Sequence, residues 1–101
     1  PRISSIYITD TNVTKDRTVQ IYVHASDIYK DQFHWTYEWK GSNGFYHTEQ
    51  EPESRRWIKI EQSIATTLLE HGETLLFCVS LCTIHGETDT QTLLFRNILQ
   101  R

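Results

Sequence analysis

At 101 residues and 12.0 kDa, with 38% hydrophobic, 12% aromatic and 23% charged residues, the chain is long enough for one core and too short for two domains. Ten Lys and Arg against thirteen Asp and Glu give a net charge of −3, without the basic stripe that phosphate neutralisation demands of a nucleic-acid module. Four glycines and two prolines exclude collagen-like and low-complexity classes, and no apolar run approaches the ~18 residues of a membrane helix, so no membrane insertion by this segment is expected. Methionine is absent, initiator included, which fits a piece excised from a longer polypeptide.

The dominant hydrophobic period is two, the signature of half-buried strands. Ile3 to Thr9 predicts a first strand with Ile6 and Ile8 inward. Asn12-Val13-Thr14 is an N-glycosylation sequon, making Asn12 a candidate modification site in a secreted chain. Thr18 to Ala25 alternates Val19, Ile21, Val23 and Ala25 with mostly polar residues. Phe33 to Lys40 places Phe33, Trp35, Tyr37 and Trp39 on one strand face, where a helix would scatter them around its cylinder.

Gly41-Ser42-Asn43-Gly44 follows, and Asn-Gly supplies the positive φ of a tight turn. Phe45 to Glu49 pairs back as a short strand, and Gln50 to Ser54 reads as a polar loop. Trp57 to Gln62 predicts a strand with Ile58 and Ile60 inward. Ser63 to Leu69 stays open between a helical turn and extended chain, and Glu70 to Glu73 turns. Thr74 to Thr83 is apolar on both faces, as in a central strand covered on both sides. Ile84 to Glu87 turns, and Thr88 to Phe95 closes as a Thr-rich strand.

Seven short antiparallel strands in about 100 residues is the arithmetic of an immunoglobulin-like sandwich. We therefore expect one all-β domain spanning residues 1–101, with two sheets enclosing Val19, Trp35, Tyr37, Ile58, Phe77 and Val79. The run Val19 to Asp27 and then Phe33 to Trp39, with its Tyr37-Glu38-Trp39, resembles the second and third strands of polycystic-kidney-disease-type repeats. Gly72 to Leu81 and then His85 to Thr90 are similar to that family's closing hairpin. Fibronectin type III domains share much of the likeness, which spans residues 18 to 95, and the triple-tyrosine sandwich of bacterial hybrid sensors has a similar ending. The departures are definite: Lys40 to Gly44 replaces the expected Gly-Asp-Gly, Leu75 stands where a tyrosine corner would, and no second-strand cysteine faces Cys78.

Catalytic signatures are missing from the sequence. Gly-x-Ser-x-Gly and a phosphate-cradling Gly-rich loop do not occur, and Glu51 and Glu53 lie in a predicted solvated loop with nothing to raise a carboxyl pKa. Five histidines (His24, His34, His47, His71 and His85) lack ligand spacing. Asp10, Asp27 and Asp31 are oxygen donors in the style of calcium loops, without a dense acidic run. Aromatics whose strand phase or loop position exposes them are the remaining signal: Tyr22, Tyr29, Phe45, Tyr46 and Trp57. Arg55 and Arg56 beside Trp57 form the best local contact candidate.

The resulting expectation is a non-enzymatic binding, adhesion or spacer module of a larger extracellular, cell-surface or periplasmic protein, without a cofactor or metal. Its partner is a protein or a neighbouring domain, met through surface complementarity or strand-edge pairing. The alternatives are a carbohydrate-binding module stacking sugar on Trp57, Tyr46 and Tyr29, or a sensory or oligomerisation domain contacting through Leu76, Cys78 and Cys82.

The two cysteines, Cys78 and Cys82, sit four residues apart. In one extended strand they lie about 13 Å apart at ~3.3 Å per residue, beyond the roughly 7 Å between Cα atoms that a disulfide tolerates. Thiol titration of the denatured chain should therefore count both cysteines as free thiols, and a mass lowered by the two hydrogens of an internal disulfide would contradict a continuous strand.

Overall fold

Alternating β-branched or aromatic residues with polar ones leaves each segment one apolar face, and the chain buries those faces by pairing strands into two sheets. A computed structural model describes residues 2–8, 12–13, 17–26, 32–42, 44, 46–51, 54–64 and 74–97. Among them are eight strands: β1 (Arg2–Tyr7), β2 (Asn12–Val13), β3 (Arg17–Ser26), β4 (Phe33–Gly41), β5 (Tyr46–Glu51), β6 (Trp57–Ile64), β7 (Thr74–Thr83) and β8 (Thr88–Asn97). One sheet has the order β1-β3-β6 and the other β2-β8-β7-β4-β5. Every pairing is antiparallel except that of β2 with β8.

Seven long strands fall where the two-residue period puts them. The eighth, β2, pairs only two residues with β8, too few to leave a periodic trace. Gln50 and Glu51, expected in a loop, belong to β5, where they pair with Thr36 and Trp35. The open stretch after Gln62 begins as extended chain, because β6 continues through Ile64 opposite Arg17.

The inner faces meet in one core. Val19, Ile21, Val23 and Ala25 of β3 and Ile58 and Ile60 of β6 are buried with Phe33, Trp35 and Trp39 of β4 and with Leu75, Phe77, Val79 and Leu81 of β7. Rings dominate one end, where Trp39 lies 4.7 Å from Phe77 and 5.5 Å from Phe95 between centroids. Of the expected core set only Tyr37 is half-buried.

β1 departs from a strict period of two. A bulge between Ile3 and Ser5 lets Ile3 turn inward on the same side as Ile6. The Ile3 N–H then donates to Asp89 Oδ2 of β8 at 2.6 Å, joining the two sheets at this edge. β7 also corrects the expectation of a strand covered on both sides. Its outward residues Leu76, Cys78, Ser80 and Cys82 are half-buried only, shielded by neighbouring strands of their own sheet.

Two turns carry backbone that glycine adopts freely. Gly44 has φ +93° and Gly86 φ +85°, and their N–H groups donate to the carbonyls of Gly41 and Thr83 at 3.1 Å each.

Trp35 and Trp39 are both fully buried, but they differ in polar satisfaction. The Trp35 Nε1–H donates to the Arg55 carbonyl at 2.8 Å, whereas Trp39 Nε1 has no partner among the described residues. Urea unfolding should show Trp35→Ala destabilising the fold by about 3–5 kcal/mol and Trp39→Phe by about 1–2 kcal/mol, the cost of the cavity alone, because no hydrogen bond is lost there. A loss under about 1 kcal/mol for Trp35→Ala would place that ring outside the core.

Candidate functional site

The residues singled out by sequence are divided by the fold. Trp57 opens β6 and, with Ile58 and Ile60 inward, must point to the outer face of the three-stranded sheet, where it is 57% exposed. Tyr46 opens β5 beside Lys40 on the outer face of the five-stranded sheet, 58% exposed, and its hydroxyl donates to Glu38 Oε2 at 3.0 Å. Trp57 and Tyr46 thus belong to different sheets and cannot share a stacking platform. Tyr29, Phe45, His71, Asp10, Asp27, Asp31 and the Asn12 side chain lie outside the described residues.

Arg55 and Arg56 stay beside Trp57. With Glu51, Ile58 and Lys59 they line an open cleft between edge strands β5 and β6. Their backbone is fixed, since the Arg56 carbonyl accepts from the Ala25 N–H at 2.7 Å and the Arg55 carbonyl from Trp35.

The strongest cluster of exposed rings is one that sequence reasoning only half assembled. Register places Tyr7 of β1 directly opposite Tyr22 of β3, and Tyr22 opposite Lys59 of β6. Trp57 lies two residues along β6 from Lys59, so it is diagonal to Tyr22. All three rings stand on the outer face, with Tyr7 66% and Tyr22 39% exposed. Direct cross-strand partners have Cβ atoms about 5 Å apart and diagonal ones about 7–8 Å, so Tyr7 and Tyr22 share one row of the face and Trp57 stands in the next. Tyr7 escaped notice because its phase within β1 becomes informative only once its partner strand is known.

Short-range polar contacts order this face. The Lys59 ammonium lies 6.0 Å from the Tyr22 ring centroid and 2.9 Å from Glu61 Oε1. That hydrogen bond to Glu61 raises the Lys59 pKa, and the same bond, from the other side, lowers that of Glu61. Both groups are exposed, so the pair contributes little to stability. Tyr22 Oη donates to Gln20 Oε1 at 3.4 Å, and Ser4 Oγ lies 3.1 Å from His24 Nδ1. A shallow hollow lined by Ile6, Tyr7, Ile8, Gln20 and Tyr22 runs alongside.

The remaining chemistry-bearing groups are dispersed. His24 and His34 lie on different sheets, and His47 contacts Glu49 at 3.1 Å on exposed β5. Among the described residues no three His, Cys, Asp or Glu side chains gather as metal ligands, and no helix is long and apolar enough to cross a membrane. No family model matches the chain, and no curated protein matches it.

Two groups of the larger sheet make the fold sensitive to base. Burial pushes the Tyr37 phenol above its ordinary 10.0, helped by the negative charges of Glu49 and Glu51. Burial likewise raises the Cys78 thiol above 9.0, with Glu38 adding to the effect. An acid whose pKa rises on folding contributes stability that is complete below its ordinary value and lost as pH climbs through the folded one. The thermal midpoint should fall from about pH 9 upward, and Tyr37→Phe should flatten that fall; an unchanged alkaline slope in the variant would contradict the assignment.

Proposed function

We propose that the chain is a non-catalytic binding module of immunoglobulin-like sandwich architecture within a larger extracytoplasmic or cell-surface protein. It recognises its ligand by surface complementarity, without a covalent step, through the outer face of β1-β3-β6. The sheet orders support the architectural part. β1, β3 and β6 form one sheet, and the closing hairpin β7–β8 joins the aromatic strand β4 in the other.

The observation that carries the functional part is the group of exposed rings Tyr7, Tyr22 and Trp57 on one sheet face. Exposing large rings forfeits burial energy of roughly 25 cal/mol per Å² of apolar surface, and contiguous exposure marks a contact surface. The Arg55-Arg56-Trp57 segment borders this face, so the sequence candidate and the structural one meet at Trp57.

Oxidative footprinting provides the test. With the chain mixed into the extracellular fraction of its source cells, labelling of Tyr7, Tyr22 and Trp57 should drop several-fold while Tyr46, on the other sheet, keeps its yield. Protection of Tyr46 alone, or of neither face, would contradict the assignment.

A further inference from the structure

We infer that the face formed by Tyr7, Tyr22 and Trp57 binds a neutral glycan chain, its sugar rings stacked on those aromatic rings. The inference rests on the reading of that face as the binding surface and adds the ligand class.

The first argument is size. Three strands about 4.8 Å apart and the eight paired residues of β3 and β6 at ~3.4 Å each give a face roughly 14 Å by 27 Å. Its footprint of about 400 Å² is half of the ~800 Å² per partner that a stable protein interface buries. A glycan chain needs only a strip one ring wide. The three rings supply that strip, running across the strands from Tyr7 to Tyr22 and diagonally on to Trp57.

Charge points the same way. The rows that carry the rings hold one cation, Lys59, and Glu61 of the adjoining row pairs with it at 2.9 Å. An acidic or basic ligand would meet no uncompensated charge in those rows. The other polar neighbours, Ser4, Gln20 and His24, offer hydroxyl, amide and imidazole groups along the rings' flanks. A pyranose matches this arrangement, with an apolar C–H face for the aromatic surface and hydroxyls around its rim for hydrogen bonding. Lys59, held by Glu61 at 2.9 Å, stands over Tyr22 at 6.0 Å, so its exposed side chain swings aside when a sugar occupies that ring.

The tryptophans provide a direct readout, since Trp35 and Trp39 are fully buried and Trp57 is exposed. The chain is titrated with four neutral soluble polysaccharides (a β-glucan, a mannan, a galactan and an arabinoxylan), following tryptophan emission and mobility in polysaccharide-loaded native gels. At least one should shift the emission and retard the chain. Trp57→Ala and Tyr22→Ala should each weaken that binding about tenfold or more, whereas Trp57→Phe and Tyr22→Phe should stay within about threefold because a stacking face remains. Tyr46→Ala should change nothing. The inference is overturned if none of the four binds, or if Trp57→Ala binds as well as the parent chain while remaining folded by its thermal midpoint. Protection of Tyr7, Tyr22 and Trp57 by a protein, with no polysaccharide bound, overturns the glycan and leaves the face standing; no protection and no polysaccharide bound overturns both.

Discussion

The short crossing from Ser54 to Arg56 is the constraint on which the rest of the molecule depends. Here the chain leaves one sheet for the other, and each residue is fixed by a bond to one of the sheets. Ser54 Oγ donates to the Phe33 carbonyl at 2.7 Å and accepts from the Phe33 N–H at 3.1 Å, so it completes the end of β4. One residue on, the Arg55 carbonyl receives the Trp35 indole N–H, and next the Arg56 carbonyl receives the Ala25 N–H of β3. Three successive residues thus connect the two sheets. Their spacing sets the phase in which β6 starts.

That phase determines what the smaller sheet offers to solvent. A slip of one residue would turn Ile58 and Ile60 outward and drive Trp57 into the core. In the observed register Ile58 is opposite Val23 and Ile60 opposite Ile21, closing the core, while Trp57 is opposite His24 and stands out. The bulge in β1 brings Ile3 inward while Tyr7 remains outward beside Tyr22. Burial of the aliphatic residues and exposure of the rings therefore have one cause. The outer face of the larger sheet is different in kind, with Thr36, Thr48, Ser80, Thr90 and Cys78 lining a shallow depression and Ser80 Oγ 2.8 Å from Thr90 Oγ1.

Strand positions and most of the core were legible in the sequence because a period of two needs only local information. Val19 to Ala25 and Phe33 to Trp39 each declare their inner face without reference to any partner. Three features required partners. Ile3 looks out of phase with Ile6 until a bulge is seen, and β2 exists only as a two-residue pairing with β8. The exposed ring group is a property of three strands distant in sequence, so Tyr7 could not be joined to Tyr22 and Trp57 by reading along the chain. Conversely, Tyr46 and Trp57 looked alike as exposed aromatics, and only sheet membership separates them.

The crossing sets β6 in the phase that presents Trp57, while Trp35 and Trp39 of β4 stay in the core. Oxidation of the folded chain with a tryptophan-selective reagent, followed by peptide mapping, tests it most directly. Trp57 alone should be modified rapidly, with Trp35 and Trp39 reacting only after denaturant is added. Protection of Trp57 in the native chain, or modification of Trp35 at a comparable rate, would contradict it.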